Sequence, residues 1–393
     1  MDFQLTEQQE LLQQTVRKFA QQECREVVAL CDRAGSLRDP SLQKRMMELV
    51  EKMVQMGLIG MCLPEAYGGG GQELLSAILC IEQLAAVSPL AAAAVFESNV
   101  GPVRVIEFFG NDAQKARWLP PVAQARLQVS IGMTEPEAGS ALTDLRTRAD
   151  KCDGGYRVNG RKCFCTGGGH SGAYMVYCRV GDVPGPKGIA GVVIEKGTPG
   201  FTFGKQEQFM GLRAFPSCDL IFEDCFVPEE NLIVPPGGFA MLMQCFDIER
   251  CGNATMALGI ATGALEFAVE YAKQRQTFGK PICDRQAIQM MLADMAVRVD
   301  AARLLVYRAA VNAGRGIPSI KETSMAKVFA NETAKAVTDM AMDILGGYGY
   351  STQYPIERML RDSRGWPIAG GTLQMQKIII ASIVCGRRFD QRK

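Results

Sequence analysis

Two short stretches decide how this chain folds and works: Phe246-Asp247-Ile248-Glu249-Arg250 and Ile368-Ala369-Gly370-Gly371-Thr372. The first opens a segment rich in alanine and glycine, a composition that favours a closely packed helix. The second is a glycine-containing loop near the C-terminus. We expect the fold to bring the two together.

The overall composition limits the kind of protein. A chain of 393 residues can bury a large core and divides into two or three compact units. With 43 Lys and Arg against 42 Asp and Glu, the net charge is +1, so there is no electrostatic reason to expect a nucleic-acid partner. A hydrophobic content of 47% with 22% charged residues is typical of a folded, water-soluble protein.

Cysteine and histidine usage argues against a metal site. The 14 cysteines are scattered and contain no Cys-x-x-Cys pair, so they do not indicate a zinc site. This many cysteines in a large chain without an export signal predict reduced thiols in an intracellular, cytoplasmic protein. The one histidine, His170, lies in a glycine-rich loop, where exposure to solvent is the simplest interpretation. The polar N-terminus does not resemble a signal peptide, and no apolar run is long enough to span a membrane.

Residues 1–125 are predicted to form an N-terminal helical domain. Thr6 and Gln9 have the spacing of a capping box, and Leu12, Val16 and Phe19 follow at helical intervals. A second helix is predicted over residues 41–57.

Residues 126–237 have the composition of a central β domain. Two strand-like runs flank Asn159-Gly160, a dipeptide that predicts a hairpin turn. Further strands are predicted over residues 174–179, 189–194 and 219–222.

Residues 238–393 are predicted to form an antiparallel helical bundle. One stripe of apolar residues runs from Ile288 to Ala302 and a second from Val337 to Ile344, and Gly346-Gly347 ends the second helix. The expected fold class is therefore α+β, with helices before and after the β domain.

Three motifs extend this pattern: residues 133–140 (MTEPEAGS), 275–279 (RQTFG) and 345–350 (LGGYGY). Together with residues 246–250 and 368–372, these motifs resemble the acyl-CoA dehydrogenase family over the whole chain. The resemblance implies FAD as the cofactor, and it places the segment around Arg275 against the flavin's pyrophosphate across a subunit boundary. The residues that map to flavin contacts are Met133, Thr134, Gly139, Ser140, Phe164, Thr166, Arg275, Phe278, Gln286, Gly346, Gly347, Thr372 and Gln374.

Two positions, Phe164 and Ala141, differ from the family pattern. Phe164 stands where a tryptophan beside the flavin ring is common, and an ordinary core position is the alternative for it. Ala141 replaces the aspartate that usually follows the serine, so one side-chain contact is lost.

The catalytic assignment follows from an asymmetry within the family. Many members carry the catalytic glutamate at the position of Gly370, whereas a subgroup that includes the isovaleryl- and long-chain types carries it at the position of Glu249. The resemblance therefore implies that Glu249 is the base and that Gly370 contributes a backbone N–H to the thioester carbonyl. A surface ion pair with Arg250 or with another neighbour is the alternative role for Glu249.

The remaining substrate contacts map to Ser140, Asp247, Arg250 and Gly371. Because Ala369 and Gly370 are small, we expect a branched, cyclic or aryl-bearing acyl group from fatty or aromatic acid metabolism. The resemblance further implies an electron-transferring flavoprotein as the acceptor and a homotetramer built as a dimer of dimers. An enoyl-CoA reductase, an acyl-CoA oxidase and a non-catalytic flavoprotein are the alternatives.

Overall fold

The computed structural model describes residues 4–389. Its first part is helical, and the predicted capping box is present, with the Thr6 and Gln9 side chains each accepting a backbone N–H from the other residue. The N-terminal helices are α1 (Glu7–Phe19), α2 (Arg25–Ala34), α3 (Pro40–Gln55), α4 (Leu74–Ala85), α5 (Pro89–Asn99), α6 (Val103–Phe109) and α7 (Asp112–Ala123).

The central part is a sheet of eight strands. Seven of them follow the order β6-β7-β3-β2-β4-β5-β8, and β1 pairs in parallel with β4. The strands are β1 (Val129–Gly132), β2 (Arg148–Cys152), β3 (Gly155–Thr166), β4 (Ala173–Arg179), β5 (Ile189–Glu195), β6 (Phe201–Phe203), β7 (Ser217–Pro228) and β8 (Leu232–Val234).

The third part is again helical, so the predicted α+β class and its helix, sheet, helix order are confirmed. Both predicted apolar stripes lie on helices and face the core, and Gly346 ends the second of these helices with φ +58°. The elements are α8 (Phe239–Gln274), the short strands β9 (Gln276–Thr277) and β10 (Lys280–Pro281), α9 (Gln286–Ala313), α10 (Ile320–Leu345), α11 (Pro355–Ser363) and α12 (Leu373–Val384).

The long helix α8 occupies the centre of the helical core because its glycines admit close neighbours. A Cβ at Gly259 would lie 2.5 Å from the Cβ of Ala85, and one at Gly263 would lie 2.0 Å from the carbonyl oxygen of Ala86. Ala85 is the last residue of α4, and Ala86 is its C-cap. This close approach joins the first and last parts of the chain in one apolar cluster and fixes α8 in place beside them.

The predicted hairpin at Asn159-Gly160 is wrong. Strand β3 runs through both residues, and the turn lies at Asp153-Gly154, where Cys152 pairs with Gly155. At Gly160 the pairing of β3 with β7 shifts register, and an added Cβ would lie 2.7 Å from the Cα of Thr147. Glycine is needed here for an irregular strand and a close backbone approach, which the dipeptide pattern alone does not distinguish from a turn.

The changes between helix and strand fall between α7 and β1 and between β8 and α8. We keep 1–125, 126–237 and 238–393 as the proposed domain limits. Within residues 4–389, no helix has the length and apolar character required to cross a bilayer.

Candidate active site

The structure brings residues 246–250 and 368–372 into one region. Asn253 lies one turn beyond Glu249 on α8, and its side-chain nitrogen donates to the carbonyl oxygen of Ala369 at 3.2 Å. Lys327, on α10, donates to the same oxygen. The glutamate and the glycine loop are therefore parts of one region, in which α8 and α10 both hold the loop.

Glu249 has the properties of an available base. Its carboxylate is partly buried, and it forms no hydrogen bond or ion pair within residues 4–389. Burial raises the pKa of Glu249 to about 7, an effect that the positive charges of Lys327 and Arg250 oppose. The alternative role, a surface ion pair with Arg250, is wrong because Arg250 pairs with Asp247 instead.

Asp247 and Arg250 form a buried pair one turn apart on α8. Their side chains are 6% and 5% exposed, and burial raises the pKa of Asp247 to about 6 although Arg250 opposes the rise. The Nε of Arg250 is buried and has no hydrogen-bond partner in the described chain. A buried cationic donor without an acceptor can be satisfied by an anionic or carbonyl group of a ligand.

Gly370 is in a conformation that favours glycine. Its φ is +68°, and an added Cβ would lie 3.0 Å from the Nζ of Lys327 and 3.2 Å from the Nδ2 of Asn253. Its N–H donates to no acceptor in residues 4–389. The loop therefore presents an unused donor on a backbone that a side chain would strain.

Two further charged residues near Glu249 were missed by the sequence analysis. Glu97 lies near the end of α5, and its pKa rises to about 8, chiefly through burial and secondly through the charge of Glu249. Lys327 is fully buried. Both residues could have been noticed in the sequence. Glu97 is the one charged residue of α5, and Lys327 lies on the apolar stripe of α10 that contains Ala330 and Ala334.

One group of predicted flavin residues lines a cavity of about 750 Å³ at the end of α8 and α10. Arg275, Gly346 and Gly347 all belong to its lining. An added Cβ on either glycine would meet no atom within 4 Å, so the backbone is open to a bound group. An arginine beside an open glycine turn is suited to a diphosphate, and these residues therefore fit the pyrophosphate part of FAD.

Two predicted flavin residues lie outside that lining. Phe278 is 97% exposed in the turn between β9 and β10, where the Arg285 guanidinium lies 5.5 Å from its ring centroid. Gln286 is exposed at the first position of α9. Neither residue belongs to the lining of the cavity, and their role across a subunit boundary stays a prediction.

A second group of predicted flavin residues lies on the β domain. Met133 and Thr134 follow β1, and the buried ion pair between Lys162 and Glu135 (2.7 Å) fixes the segment behind them. Gly139 and Ser140 are exposed beyond this pair.

Phe164 and Thr166 lie on β3. Phe164 is 60% exposed and has a φ of +56°, so the alternative of an ordinary core position is wrong. Thr166, at the end of the strand, is partly buried. An exposed aromatic ring held in a left-handed backbone conformation is a feature that a bound ring system would explain.

The remaining predicted residues lie at the start of α12. Thr372 is its N-cap and accepts the backbone N–H of Met375 at 3.3 Å. Gln374 is exposed, whereas Gly371 has a φ of +83° and its carbonyl accepts from Gln376. His170 is exposed, and residues 4–389 contain no cluster of three or more potential metal ligands.

Comparison with known proteins identifies the family to which the chain belongs. The N-terminal, middle and C-terminal domain models of acyl-CoA dehydrogenase match residues 6–126, 130–225 and 236–385. An acyl-CoA dehydrogenase from Bacillus subtilis is 40% identical over 384 residues, covering 97% of this chain and 99% of the relative. The acryloyl-CoA reductase (NADH) from Anaerotignum propionicum is 38% identical over 390 residues, covering 98% and 97%.

Among solved structures, butyryl-CoA dehydrogenase from Megasphaera elsdenii has a TM-score of 0.92 at 37% identity, covering 98% of this chain and all of the other. The chain belongs to the acyl-CoA dehydrogenase family, whose members are FAD-dependent oxidoreductases acting on CH–CH bonds. The family resemblance is thus confirmed, whereas the subgroup and the roles of individual residues stay predictions.

Proposed function

We propose that the chain catalyses the α,β-dehydrogenation of an acyl-CoA thioester, with Glu249 removing the Cα proton. The observation that carries the proposal is the state of Glu249, which is partly buried, unpaired and one helical turn from Asn253, whose side chain donates to the Gly370 loop. FAD, held by residues such as Arg275, Gly346 and Gly347, would supply the acceptor for the hydride that leaves Cβ.

The pKa of Glu249 suits this role. A Cα proton beside a thioester is weakly acidic, so a carboxylate with an ordinary pKa is a poor acceptor for it. Burial raises the pKa of Glu249 to about 7, which makes the carboxylate more basic while it stays largely ionised at slightly alkaline pH.

The opposite side of the reaction requires a donor for the carbonyl oxygen, where negative charge develops. The free N–H of Gly370 is the donor we propose, because it has no acceptor in the described chain and belongs to the same loop that Asn253 contacts. Arg250, Asp247, Ser140 and Gly371 are proposed to contact the CoA thioester.

The acyl group is proposed to be branched, cyclic or aryl-bearing, because residues 369 and 370 are both small. The structure limits this reasoning, since Lys327 and Asn253 fill the direction in which a side chain at 370 would leave the backbone. A short straight chain is therefore the second candidate, and the likeness to a butyryl-CoA dehydrogenase favours it.

Direction, acceptor and assembly are further parts of the proposal. Oxidation with an electron-transferring flavoprotein as acceptor, in a cytoplasmic homotetramer, is the leading form. Reduction of an enoyl-CoA is the second, supported by the 38% identity to an acryloyl-CoA reductase. The same residues serve both directions, because removal and return of the Cα proton use the same carboxylate.

Mixing the purified holoprotein with a panel of acyl-CoAs and following flavin absorbance without oxygen tests the proposal. The panel contains butanoyl-, octanoyl-, isovaleryl-, cyclohexanecarbonyl- and 3-phenylpropanoyl-CoA. Bleaching by at least one thioester is the expected result, and fast reoxidation by air would indicate an oxidase instead. A flavin that no thioester bleaches, and that enoyl-CoAs do not reoxidise after chemical reduction, would leave only a non-catalytic flavoprotein.

A further inference from the structure

The peptide bond between Ala369 and Gly370 is held at its carbonyl end by two buried side chains. Lys327 Nζ and Asn253 Nδ2 both donate to the Ala369 oxygen, the latter at 3.2 Å. The two donors belong to different helices, α10 and α8. Their side chains are almost completely buried, with the whole residues 0% and 2% exposed.

A trans peptide is planar, and its C=O and N–H point in opposite directions. Fixing the Ala369 carbonyl therefore fixes the Gly370 N–H as well. The described chain has no cis peptide bonds, so this geometry applies here. Because glycine has wide conformational freedom, the peptide would rotate more easily without these two hydrogen bonds.

The two donors are themselves held in place. Asn331 donates to the side-chain oxygen of Asn253 at 3.3 Å, and also to the backbone oxygen of Lys327 at 2.8 Å. The arrangement is thus a buried polar network that joins α8, α10 and the loop. The hydrogen bonds from Asn331 hold both donors in place, although the Oδ1 of Asn331 is itself buried without a partner in the described chain.

We propose that Lys327 and Asn253 are positioning residues, which orient the Ala369–Gly370 peptide so that its N–H meets the thioester carbonyl oxygen of the substrate. The inference rests on the proposed function, since it assigns how that carbonyl is polarised. It does not depend on the protonation state of Lys327, because ammonium and amine both carry N–H donors.

The charged surroundings must be separated from the orientation effect. Glu97 from α5, Arg250 from α8, Tyr177 from β4 and Lys327 from α10 all interact electrostatically with Glu249. Removing Lys327 changes both a charge and a hydrogen bond, whereas replacing Asn253 removes its hydrogen bonds with Trp366, Ala369 and Asn331 but no charge. The pair of variants therefore distinguishes the two effects.

The test uses 3-thiabutanoyl-CoA, in which sulfur replaces the β-methylene so that no hydride can leave. Its α-proton is acidic enough to be removed in the site, and the resulting enolate beside oxidised flavin gives long-wavelength absorbance. A pH titration of this absorbance on the holoprotein measures how well the site stabilises the enolate oxygen. No turnover is required.

The variants are Lys327→Met and Asn253→Leu, with Lys321→Met as the matched control on the exposed start of α10. We expect the midpoint to move upward by about one pH unit or more in both variants, since a lost oxyanion donor typically weakens stabilisation by more than about tenfold. The control should titrate like the parent.

Midpoints that match the control in both variants would overturn the inference while leaving the proposed function intact. A shift in Lys327→Met alone would overturn it too, because that result follows from charge without orientation. If Lys327→Met does not fold, Asn253→Leu still decides. A parent protein that gives no enolate absorbance would instead overturn the proposed function, and the inference with it.

Discussion

The rate of flavin reduction should rise with pH. Glu249 must be ionised to accept a proton, and its pKa is raised to about 7 by burial. About one tenth of the carboxylates are then ionised at pH 6 and about nine tenths at pH 8, so the rate of flavin reduction should rise about tenfold across this interval. The sign is fixed, because loss of the proton activates a base.

The assay mixes the holoprotein anaerobically with the best acyl-CoA of the panel in single turnovers at pH values from about 5.5 to about 9. The initial rate of flavin bleaching is then fitted to one ionisation. Glu97→Gln is the informative comparison, since Glu97 has a pKa of about 8 and adjoins Glu249. The account predicts a midpoint near 7 in both proteins. A flat profile, a falling rate, or a midpoint near 8 that disappears in Glu97→Gln would refute the reasoning.

Three further predictions concern stability and cofactor binding. Glu249→Gln should make the apoprotein more stable than the parent at pH 8 by up to about 3 kcal/mol, because the pKa of Glu249 in the folded state lies about 2.5 units above its unfolded value. This difference in the free energy of unfolding should shrink below pH 7 and disappear near pH 4.5. Chemical denaturation at both pH values checks the prediction, and a difference that does not change with pH would contradict the burial of the charge. Gly263→Ala should destabilise the fold by about 1–3 kcal/mol, because its Cβ would meet the backbone of α4 at 2.0 Å, and an unaltered melting temperature would show that the helices can separate at no cost. Arg275→Ala should weaken FAD retention by about 10- to 100-fold, because charge-assisted hydrogen bonds to phosphate are lost. Fluorescence of released flavin measures the retention, and Arg298→Ala, at an exposed position, is the control. Equal retention in both variants would show that the pyrophosphate binds elsewhere.

Some of the structure was predictable from the sequence because local signals and the fold agreed. The capping box at Thr6, the two apolar stripes and the glycine stop at Gly346 are all properties of a few neighbouring residues, and each is present. The hairpin prediction at Asn159-Gly160 was wrong because the same dipeptide occurs both at turns and where a strand needs glycine for a close backbone approach. Only the neighbouring Thr147 decides between these roles, and it lies outside the local window.

The centre of the candidate site depended on tertiary contacts that no local pattern contains. Glu249 and Gly370 were located through the family resemblance, but Lys327 and Asn253 were not, although both contact the loop. A buried lysine on an apolar stripe breaks the pattern that a core helix should follow, and Glu97 breaks it on α5 in the same way. A charged residue on the apolar face of a helix is therefore the sequence feature that would have located Lys327 and Glu97, whereas nothing comparable marks Asn253.

The central claim is that Glu249 is the proton acceptor, and a single-turnover comparison tests it most directly. Glu249→Gln should bind FAD and acyl-CoA as the parent does but reduce the flavin about 10²–10⁴-fold more slowly, whereas Glu270→Gln, on the exposed surface of the same helix, should react at the parent rate. Flavin reduction at an undiminished rate in Glu249→Gln would contradict the account, and a matching loss in Glu97→Gln would assign the base to α5 instead.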